Sequence, residues 1–270
     1  MSMTKVNRIL LTGATGGLGK ELRPFLRERC NHLRLNNRRP FEAEAANEEV
    51  AICDLSDYEA VLALTKDVDA IVHMGGVSKE NTFANIVQSN IIGLYNVFEA
   101  SRRNGVKRVI WGSSVHAVGY HKRTQVLEPD CQTRPDSLYG VSKVYGEALA
   151  QYYFDKFGVE AVSIRIGSSF PRPSDWRMLS TWLSYDDLRQ LVERCIVVPK
   201  VDHTIVFGCS NNDQSFWDNS KVGYLGYRPR DNAESYRVDL EANVPRPPCD
   251  DITISFQGGS FVAAGHFEDD

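Results

Sequence analysis

The segment Thr12-Gly13-Ala14-Thr15-Gly16-Gly17-Leu18-Gly19 follows a short apolar run and opens a stretch with helical periodicity. Glycines at every third position, Gly13, Gly16 and Gly19, let the backbone turn sharply and approach a pyrophosphate closely. The first amide hydrogens of the following helix have no partner within that helix, and the helix dipole is positive there. A glycine turn between strand and helix can also serve steric needs alone. The strand before it and the helix after it favour a dinucleotide-binding loop.

Working outward from this loop, short apolar runs alternate with amphipathic stretches to about residue 206, a pattern of repeated βα units. The predicted strands are Arg8–Thr12, His32–Leu35, Val50–Cys53, Ala70–His73, Arg108–Ser113 and Ala161–Arg165. Pro24 is expected to distort the first helix, and Ser184 is expected to cap a later helix. The pattern predicts an α/β fold, a doubly wound parallel sheet (Rossmann fold) with a small C-terminal substrate-binding lobe. Residues 1–165 would form the dinucleotide-binding core with the catalytic residues, and residues 166–270 would complete the sheet and close over the substrate.

Two later segments are expected to border the same crevice. Asp54-Leu55 follows the third strand, where the carboxylate would accept the adenine amino group or simply cap a helix. Gly75-Gly76-Val77 closes the fourth strand, where two glycines suit either close approach to a cofactor or a plain turn.

Tyr139 and Lys143 form a Y-x-x-x-K pair on a predicted helix, about one turn apart on one face. A tyrosine with a pKa near 10 is a poor base at neutral pH, and a neighbouring ammonium group favours its phenolate. Ser113 and Ser114 stand at the end of the fifth strand, where a hydroxyl would hold the reacting oxygen of a substrate. Taken with the glycine loop, this set predicts hydride-transfer chemistry.

Composition limits the other classes of function. The 270 residues are 42% hydrophobic and 24% charged, and no apolar run is long enough to span a bilayer. The net charge of −4 argues against nucleic acid as a partner, because binding it requires a basic face. The six cysteines lack any C-x-x-C pair, so reduced thiols are expected, and no spacing of ligand residues predicts a metal site.

The two ends of the chain carry weaker signals. The first residues, Met1 to Val6, lead into an apolar strand without the apolar segment and cleavage site of a signal peptide. We therefore expect a cytoplasmic protein without a membrane partner, and we also expect a homo-oligomer. The acidic end Glu268-Asp269-Asp270 is expected to be a solvated terminus.

At this point the chain resembles the extended short-chain dehydrogenases/reductases, and among them the bacterial uronate dehydrogenases, over nearly its whole length. The segments that carry the resemblance are Gly13 to Gly19, Gly75-Gly76-Val77-Ser78, Asn90-Ile91-Ile92-Gly93, Ser113-Ser114-Val115-His116, Pro135 to Lys143, Arg165-Ile166-Gly167-Ser168 and Trp217-Asp218-Asn219.

The resemblance implies catalytic roles for four residues. Ser114 would polarise the reacting oxygen, Tyr139 would be the acid/base, and Lys143 would be its electrostatic partner. Asn90 resembles the family asparagine that helps to position the lysine. The residues that would bind the cofactor are Gly13, Thr15, Gly16, Gly17, Leu18, Gly19, Asn37, Arg38, Asp54, Leu55, Gly75, Gly76, Val77, Tyr139, Lys143 and Ile166.

The same resemblance implies a hexuronate, D-galacturonate or D-glucuronate, as the small-molecule substrate. The residues that would contact it are Ser78, Ser114, Val115, His116, Tyr139, Ser168 and Arg177. The planar guanidinium of Arg177 is suited to grip the sugar carboxylate with two parallel hydrogen bonds. Val115 departs from the family, in which a polar Asn is expected, and this departure would remove a hydrogen bond to the sugar.

Cofactor choice is a second departure. An acidic residue about twenty positions after the glycine loop usually binds the ribose 2′-hydroxyl of NAD. Asn37 holds that place here, and Arg38 and Arg39 follow it. A neutral amide beside cations favours the 2′-phosphate of NADP, whereas the family that the chain resembles typically uses NAD. The expected cofactor is therefore NADP or NAD, with NADP favoured.

Two other functions remain open on the same residues. A sugar-nucleotide epimerase or dehydratase uses the same fold and Ser/Tyr/Lys set, but usually has a larger C-terminal lobe. A non-catalytic NADPH-sensing regulator is the other possibility, because a nucleotide-binding fold does not guarantee chemistry. The intact Tyr139/Lys143 pair argues against the regulator.

Overall fold

A computed structural model describes residues 6–267 of the chain. Within them, seven strands form one parallel sheet in the order β3-β2-β1-β4-β5-β6-β7. The strands are β1 (Val6–Thr12), β2 (Cys30–Asn37), β3 (Glu48–Ile52), β4 (Ala70–His73), β5 (Arg108–Ser114), β6 (Glu160–Ile166) and β7 (His203–Gly208). The predictions for Met1–Lys5 and for Glu268-Asp269-Asp270 lie outside the described residues.

The strand order reverses between β1 and β4, which are neighbours in the sheet. In open parallel sheets, the crevice beyond the carboxyl ends of the strands at such a reversal is where ligands bind. The glycine loop follows β1, and Gly75-Gly76 follows β4. The fold therefore brings both predicted cofactor segments to one crevice, and the predicted doubly wound sheet is confirmed.

Helices cover both faces of the sheet. They are α1 (Gly17–Arg27), α2 (Tyr58–Leu64), α3 (Phe83–Ile86), α4 (Gly93–Asn104), α5 (Leu138–Phe157), α6 (Met178–Thr181), α7 (Tyr185–Val197), α8 (Arg237–Asn243), α9 (Ile252–Ser255) and α10 (Ser260–Ala263). Successive residues of β1 show why the strands are apolar throughout: Ile9 and Leu11 pack on the side of α1 and α7, and Leu10 packs on the side of α2, α4 and α5.

No bounds were predicted for the seventh strand, β7, although residues 166–270 were expected to complete the sheet. Its Thr204 to Phe207 run is buried at alternate or successive positions and pairs with β6. Pro24, which is expected to distort α1, does not interrupt it, and the helix runs from Gly17 to Arg27. Pro24 is exposed, so water can satisfy the carbonyl that has lost its helical partner. The predicted cap is confirmed: the Ser184 hydroxyl accepts the Asp187 amide hydrogen at 3.0 Å.

Candidate active site

The glycine loop is packed so closely that two of its positions leave no room for a side chain. Gly13 has a φ of +67°, and a Cβ there would lie 2.7 Å from the Met74 carbonyl. A Cβ on Gly19 would lie 2.0 Å from the Gly13 oxygen, whereas one on Gly17 would meet nothing within 4 Å. The loop thus packs tightly against itself and β4, while the start of α1 stays open. Around these positions, Thr15 and Leu18 are half-buried, and Gly16 and Gly17 are exposed.

The end of β2 lies beside the end of β3. The Asn37 amide donates to the Arg39 carbonyl at 3.3 Å, and the Arg38 guanidinium lies 3.8 Å from the Asp54 carboxylate. Asp54 also accepts hydrogen bonds from the backbone and hydroxyl of Ser56, which lower the pKa of its carboxyl group. The cap of the next helix, α2, is Asp57 and not Asp54.

The turn after β4 depends on two glycines and on the buried side-chain amide of Asn90. A Cβ on Gly75 would lie 2.9 Å from the Leu55 side chain, and one on Gly76, whose φ is +124°, would lie 2.8 Å from Asn90 Oδ1. Asn90 Oδ1 accepts the Val77 amide hydrogen at 2.8 Å, and Asn90 Nδ2 donates to the Val77 carbonyl at 3.0 Å. Asn90 therefore ties the backbone of this turn to the chain just before α4.

Asn90 lies in a π-helical segment, Val87–Ile92, just before α4. Its Nδ2 also donates to the Ser142 hydroxyl at 3.0 Å, and Ser142 donates to the Tyr139 carbonyl at 2.6 Å. The expected role of positioning the lysine is thus indirect in this structure. Asn90 is bonded to the helix that carries Tyr139 and Lys143, whereas the Lys143 ammonium itself donates to the Gly112 carbonyl at 2.7 Å.

The three catalytic candidates converge at the carboxyl end of β5. Ser114 is the last residue of that strand, and its hydroxyl is hydrogen-bonded with Tyr139. The Lys143 ammonium lies 5.2 Å from the centre of the Tyr139 ring. Burial raises the pKa of Tyr139 to about 12, although the Ser114 hydrogen bond lowers it. Burial lowers the pKa of Lys143 to about 8, opposed by the charge of Glu147.

Glu147 belongs to a buried ion pair directly behind this centre. Both of its oxygens accept hydrogen bonds from the Arg165 guanidinium at 2.9 Å, and Oε1 also accepts the Ser113 hydroxyl hydrogen at 2.7 Å. Ser113 is therefore turned into the core while Ser114 faces the crevice, as alternate residues of a strand must be. Ile166, the last residue of β6, packs across Gly112 on the same edge.

His116 is held from two sides. Its Nδ1 lies 2.8 Å from the Asp136 carboxylate, and its ring stacks on Phe261 with centroids 3.7 Å apart. A carboxylate can only accept, so Nδ1 carries the hydrogen and Nε2 is left as the second polar atom of the ring. The ring also meets the edge of the Tyr139 ring, with centroids 5.8 Å apart, so His116 lies beside Tyr139.

Arg177 and Ser168 form the other end of the crevice. Arg177 Nε donates to the Gln257 carbonyl at 2.7 Å, and Nη1 donates to the Ser168 hydroxyl at 3.2 Å. Its Nη2 is buried and has no hydrogen-bond partner. Burial lowers the pKa of the Arg177 guanidinium to about 10. A buried guanidinium with an unsatisfied donor is a site that an anion from solution would complete.

Ser78 and Val115, which were also expected to contact the substrate, lie in different environments. Ser78 is exposed in the loop between β4 and α3, two residues before Glu80. Val115 is buried in an apolar cluster with Val118, Leu127 and Phe207. Its apolar character therefore has a packing reason, and the lost hydrogen bond to a sugar is not needed to explain it.

Two residues at the site were missed by sequence reasoning. The Glu80 carboxylate accepts the amide hydrogens of Leu138 and Tyr139 at 3.0 and 2.8 Å, at the start of α5, the helix that carries Tyr139 and Lys143. Gln257 meets Arg177 from a segment near the end of the described chain. No periodic pattern indicates either residue, although the Gly258-Gly259 pair signals a close backbone approach.

Among residues 6–267, no cluster of three or more histidine, cysteine or acidic side chains is suited to hold a metal ion. The described helices also include none that is long and apolar enough to cross a membrane.

The chain is similar to known proteins in sequence and in fold. Residues 9–182 match the model of the NAD dependent epimerase/dehydratase family. The chain is 50% identical over 268 residues to a uronate dehydrogenase of Pseudomonas putida (strain KT2440), a match that covers 99% of this chain and 100% of that protein. It also resembles the crystal structure of a glucuronic acid dehydrogenase from Chromohalobacter salexigens, with 46% identity, a TM-score of 0.96 and coverage of 98% and 100% of the two chains.

A tyrosine variant of the uronate dehydrogenase from Agrobacterium tumefaciens, complexed with NAD, is also 46% identical, with a TM-score of 0.95 and coverage of 97% of this chain and 99% of that chain. The identity extends over essentially the whole chain, and so includes both the sheet and the C-terminal region. The chain therefore belongs to the NAD dependent epimerase/dehydratase family and, within it, to the uronate dehydrogenases, which are nicotinamide-dependent oxidoreductases.

Proposed function

We propose that this protein oxidises C1 of the cyclic hemiacetal of D-galacturonate or D-glucuronate to the aldarolactone. The observation that carries the proposal is the buried, unpartnered Nη2 of Arg177, in the same crevice as the Ser114, Tyr139 and Lys143 cluster. A sugar acid presents a carboxylate at one end and an anomeric hydroxyl at the other. The two groups match the two ends of the crevice.

The residues around the crevice fit a nicotinamide dinucleotide. The glycine loop leaves open backbone at the start of α1, where Gly16 and Gly17 would hold the pyrophosphate. Gly75, Gly76 and Val77 would border the cofactor from β4, and Ile166 would border it from β6. When bound, the nicotinamide accepts the hydride that leaves C1.

This chain's own residues handle the proton and the sugar. Tyr139 takes the anomeric hydroxyl proton, and Ser114 donates to that oxygen to hold it beside the phenol. Lys143 supplies positive charge that favours the phenolate of Tyr139. The lactone that results is opened later by water.

We assign recognition of the carboxylate to the C-terminal part of the chain and recognition of the sugar hydroxyls to both parts. Arg177 would bind the carboxylate, while Ser168, His116 and Ser78 would bind sugar hydroxyls. We accordingly propose residues 1–165 as the dinucleotide-binding and catalytic part, and residues 166–270 as the part that completes the sheet and covers the sugar. The support is that both Arg177 and its partner Gln257 lie after β6.

The activity is tested by incubating the protein with D-galacturonate or D-glucuronate and either NAD or NADP while following the absorbance of the reduced nicotinamide. We expect reduction that depends on the uronate. The proposal would be refuted if the protein binds the cofactor but does not reduce it in the presence of either sugar acid.

Arg177→Ala tests the carboxylate assignment. We expect kcat/KM for the uronate to fall by a factor that corresponds to a loss of about 2–5 kcal/mol of binding free energy, because truncation removes a desolvated charge pair. Any residual turnover of the neutral parent hexose should change much less. An equal loss of kcat/KM for both sugars would show that Arg177 does not recognise the carboxylate.

We also propose that the chain accepts NADP and favours it over NAD. Asn37 lacks the negative charge that would repel a 2′-phosphate, and the Arg38 side chain is 68% exposed with only a distant contact, 3.8 Å, to Asp54. A 2′-phosphate would offer that guanidinium a stronger partner.

The test compares kcat/KM for NADP and NAD in this chain and in the Asn37→Asp, Arg38→Ile variant. We expect the ratio to move towards NAD by about tenfold or more, since a repulsive charge is introduced and an attractive one removed. An unchanged ratio would mean that cofactor choice is set elsewhere.

We propose that the protein is a homo-oligomer and that it acts in the cytoplasm. Support for the oligomer comes from the exposed rings of Tyr95 on α4 and of Tyr152 and Phe157 on α5, which belong to the same face of the sheet. Light scattering should give a mass that is a multiple of the chain mass, and Tyr152→Lys should lower it. A monomer at micromolar concentration would contradict this.

A further inference from the structure

The guanidinium of Arg177 is fixed by a segment distant in sequence. Its Nε–H donates to the Gln257 carbonyl at 2.7 Å, and its Nη1 donates to the Ser168 hydroxyl at 3.2 Å. These two bonds use opposite ends of the planar group and leave Nη2 buried without a partner. The position of the Gln257 carbonyl therefore decides which way the unpartnered donor faces.

Gln257 is itself fully buried, and its side-chain amide is bonded at both ends. Its Oε1 accepts the indole hydrogen of Trp217 at 2.8 Å. Its Nε2 donates to the carbonyls of Lys122 and Gln125 at 3.2 and 2.9 Å. Its backbone amide donates to the His121 carbonyl at 2.9 Å. One side chain thus ties the segment between α9 and α10 to the rest of the molecule.

The two residues that follow have no room for side chains. A Cβ on Gly258 would lie 2.0 Å from the Asp136 carboxylate that holds His116, and one on Gly259, whose φ is +66°, would lie 2.5 Å from Arg177 Cδ. The backbone of this segment is therefore in direct contact with the Arg177 side chain. A change in how Gln257 is anchored would move the guanidinium.

We propose that Gln257 is a positioning residue for recognition of the sugar carboxylate. Its amide, held by Trp217 and by the loop of Lys122 and Gln125, sets the carbonyl that orients Arg177 with Nη2 towards the bound anion. The inference rests on the proposed function, in which Arg177 binds the carboxylate. Gln257 touches neither the reacting atoms nor the cofactor loop among its hydrogen bonds, so its effect is on binding of the acid and not on the chemical step.

The test is Gln257→Met, which keeps the length of the side chain and removes its three hydrogen bonds. We expect KM for the uronate to rise about tenfold or more, because the charge-assisted bond to a misplaced guanidinium is weakened. We expect kcat and the dissociation constant of the cofactor to change by less than about threefold. Gln132→Met is the matched control, because that side chain is exposed, and its KM should stay at the value of the unmodified chain.

A double-mutant cycle with Arg177→Ala separates positioning from general damage to the fold. If Gln257 acts through Arg177, then Gln257→Met adds little to the uronate KM of Arg177→Ala. Additive effects, or a fall in kcat in step with the melting temperature and an unchanged KM, would overturn the proposal. Failure of the proposed function would look different, since the unmodified chain would then reduce no cofactor with either uronate.

Trp217→Phe provides a second route if Gln257→Met does not fold. It removes the donor to Gln257 Oε1 and leaves a smaller aromatic ring at the position where the Trp217 indole stacks on Phe207 at 5.3 Å. We expect a smaller rise in the uronate KM, in the same direction, with kcat nearly unchanged. An unchanged KM in this variant would also count against the proposal.

Discussion

Tyr139 is held in a protonated state by its surroundings when the protein is free of ligands. Burial raises the pKa of its phenol to about 12, and burial also lowers the pKa of the neighbouring Lys143 to about 8. The charge of Glu147, one helical turn beyond Lys143, opposes the loss of the lysine's proton. The phenolate therefore requires the positive charges of a loaded site, and the tyrosine does not act as a base by itself.

Tyr139→Phe tests this assignment at the scale of one oxygen atom. The variant should bind the cofactor with a nearly unchanged dissociation constant, because the phenyl ring preserves the packing. Its kcat should fall by about 10²–10⁴-fold, the usual contribution of a positioned acid or base. Cofactor binding by fluorescence and turnover by absorbance check the two halves of the prediction, and retained turnover would remove Tyr139 from the mechanism.

Among the elements, the turn between β1 and α1 shows that its glycines are required for different reasons. Gly13 needs its positive φ, and Gly19 needs the absence of a side chain, because a Cβ would lie 2.0 Å from the Gly13 oxygen. Gly17 faces open space. Only a position with no room for a Cβ makes glycine obligatory for the fold of this turn.

Gly19→Ala and Gly17→Ala are a matched pair that tests this reading. Gly19→Ala should lower the free energy of unfolding of the free protein by at least about 1–3 kcal/mol, because backbone atoms must move to admit the methyl group. Gly17→Ala should leave it unchanged or raise it by about 0.5–1 kcal/mol, since alanine favours the helix. Denaturant unfolding of both variants measures the difference, and similar values for the two would contradict the tight packing at Gly19.

At the scale of the whole molecule, a buried histidine makes stability depend on pH. His73 lies at the end of β4, where its Nδ1 is 2.8 Å from the Thr12 hydroxyl of β1. Burial, with a smaller effect of the Lys143 charge, lowers its pKa to about 3. Below pH 6.5 the unfolded chain therefore binds a proton that the folded chain does not. The free energy of unfolding should fall as the pH drops from 6.5 towards 3.

The slope assigned to His73 is at most about 1.4 kcal/mol per pH unit over that range. We expect His73→Gln to be less stable at pH 7 but to lose less stability than the unmodified chain between pH 7 and pH 5. Urea unfolding at several pH values gives both slopes. Burial also lowers the pKa of His116 and His203. Their contributions to the pH dependence are the same in the unmodified chain and in His73→Gln, so they cancel when the two slopes are compared. Parallel slopes would show that His73 is not the group responsible.

Local sequence was enough to predict several strands of the sheet and the helix that carries Tyr139 and Lys143. Strand β1 was predicted as Arg8–Thr12 and spans Val6–Thr12, and β4 was predicted with its bounds of Ala70–His73. These strands are buried on both faces, so they appear as continuous apolar runs bounded by glycine. The Tyr139 and Lys143 pair was also readable, because a spacing of four places two side chains on one face of a helix.

The sequence by itself thus determined the doubly wound sheet, the glycine loop and the helix that carries Tyr139 and Lys143, because each depends on periodicity or spacing within about twenty residues. Only the tertiary structure decided what surrounds Arg177 and His116. It placed the Val115 side chain in an apolar cluster, stacked Phe261 on His116, and brought the Gln257 carbonyl to Arg177 from 80 residues away. Such contacts leave no local pattern, because the packing of the whole chain sets which distant segments meet.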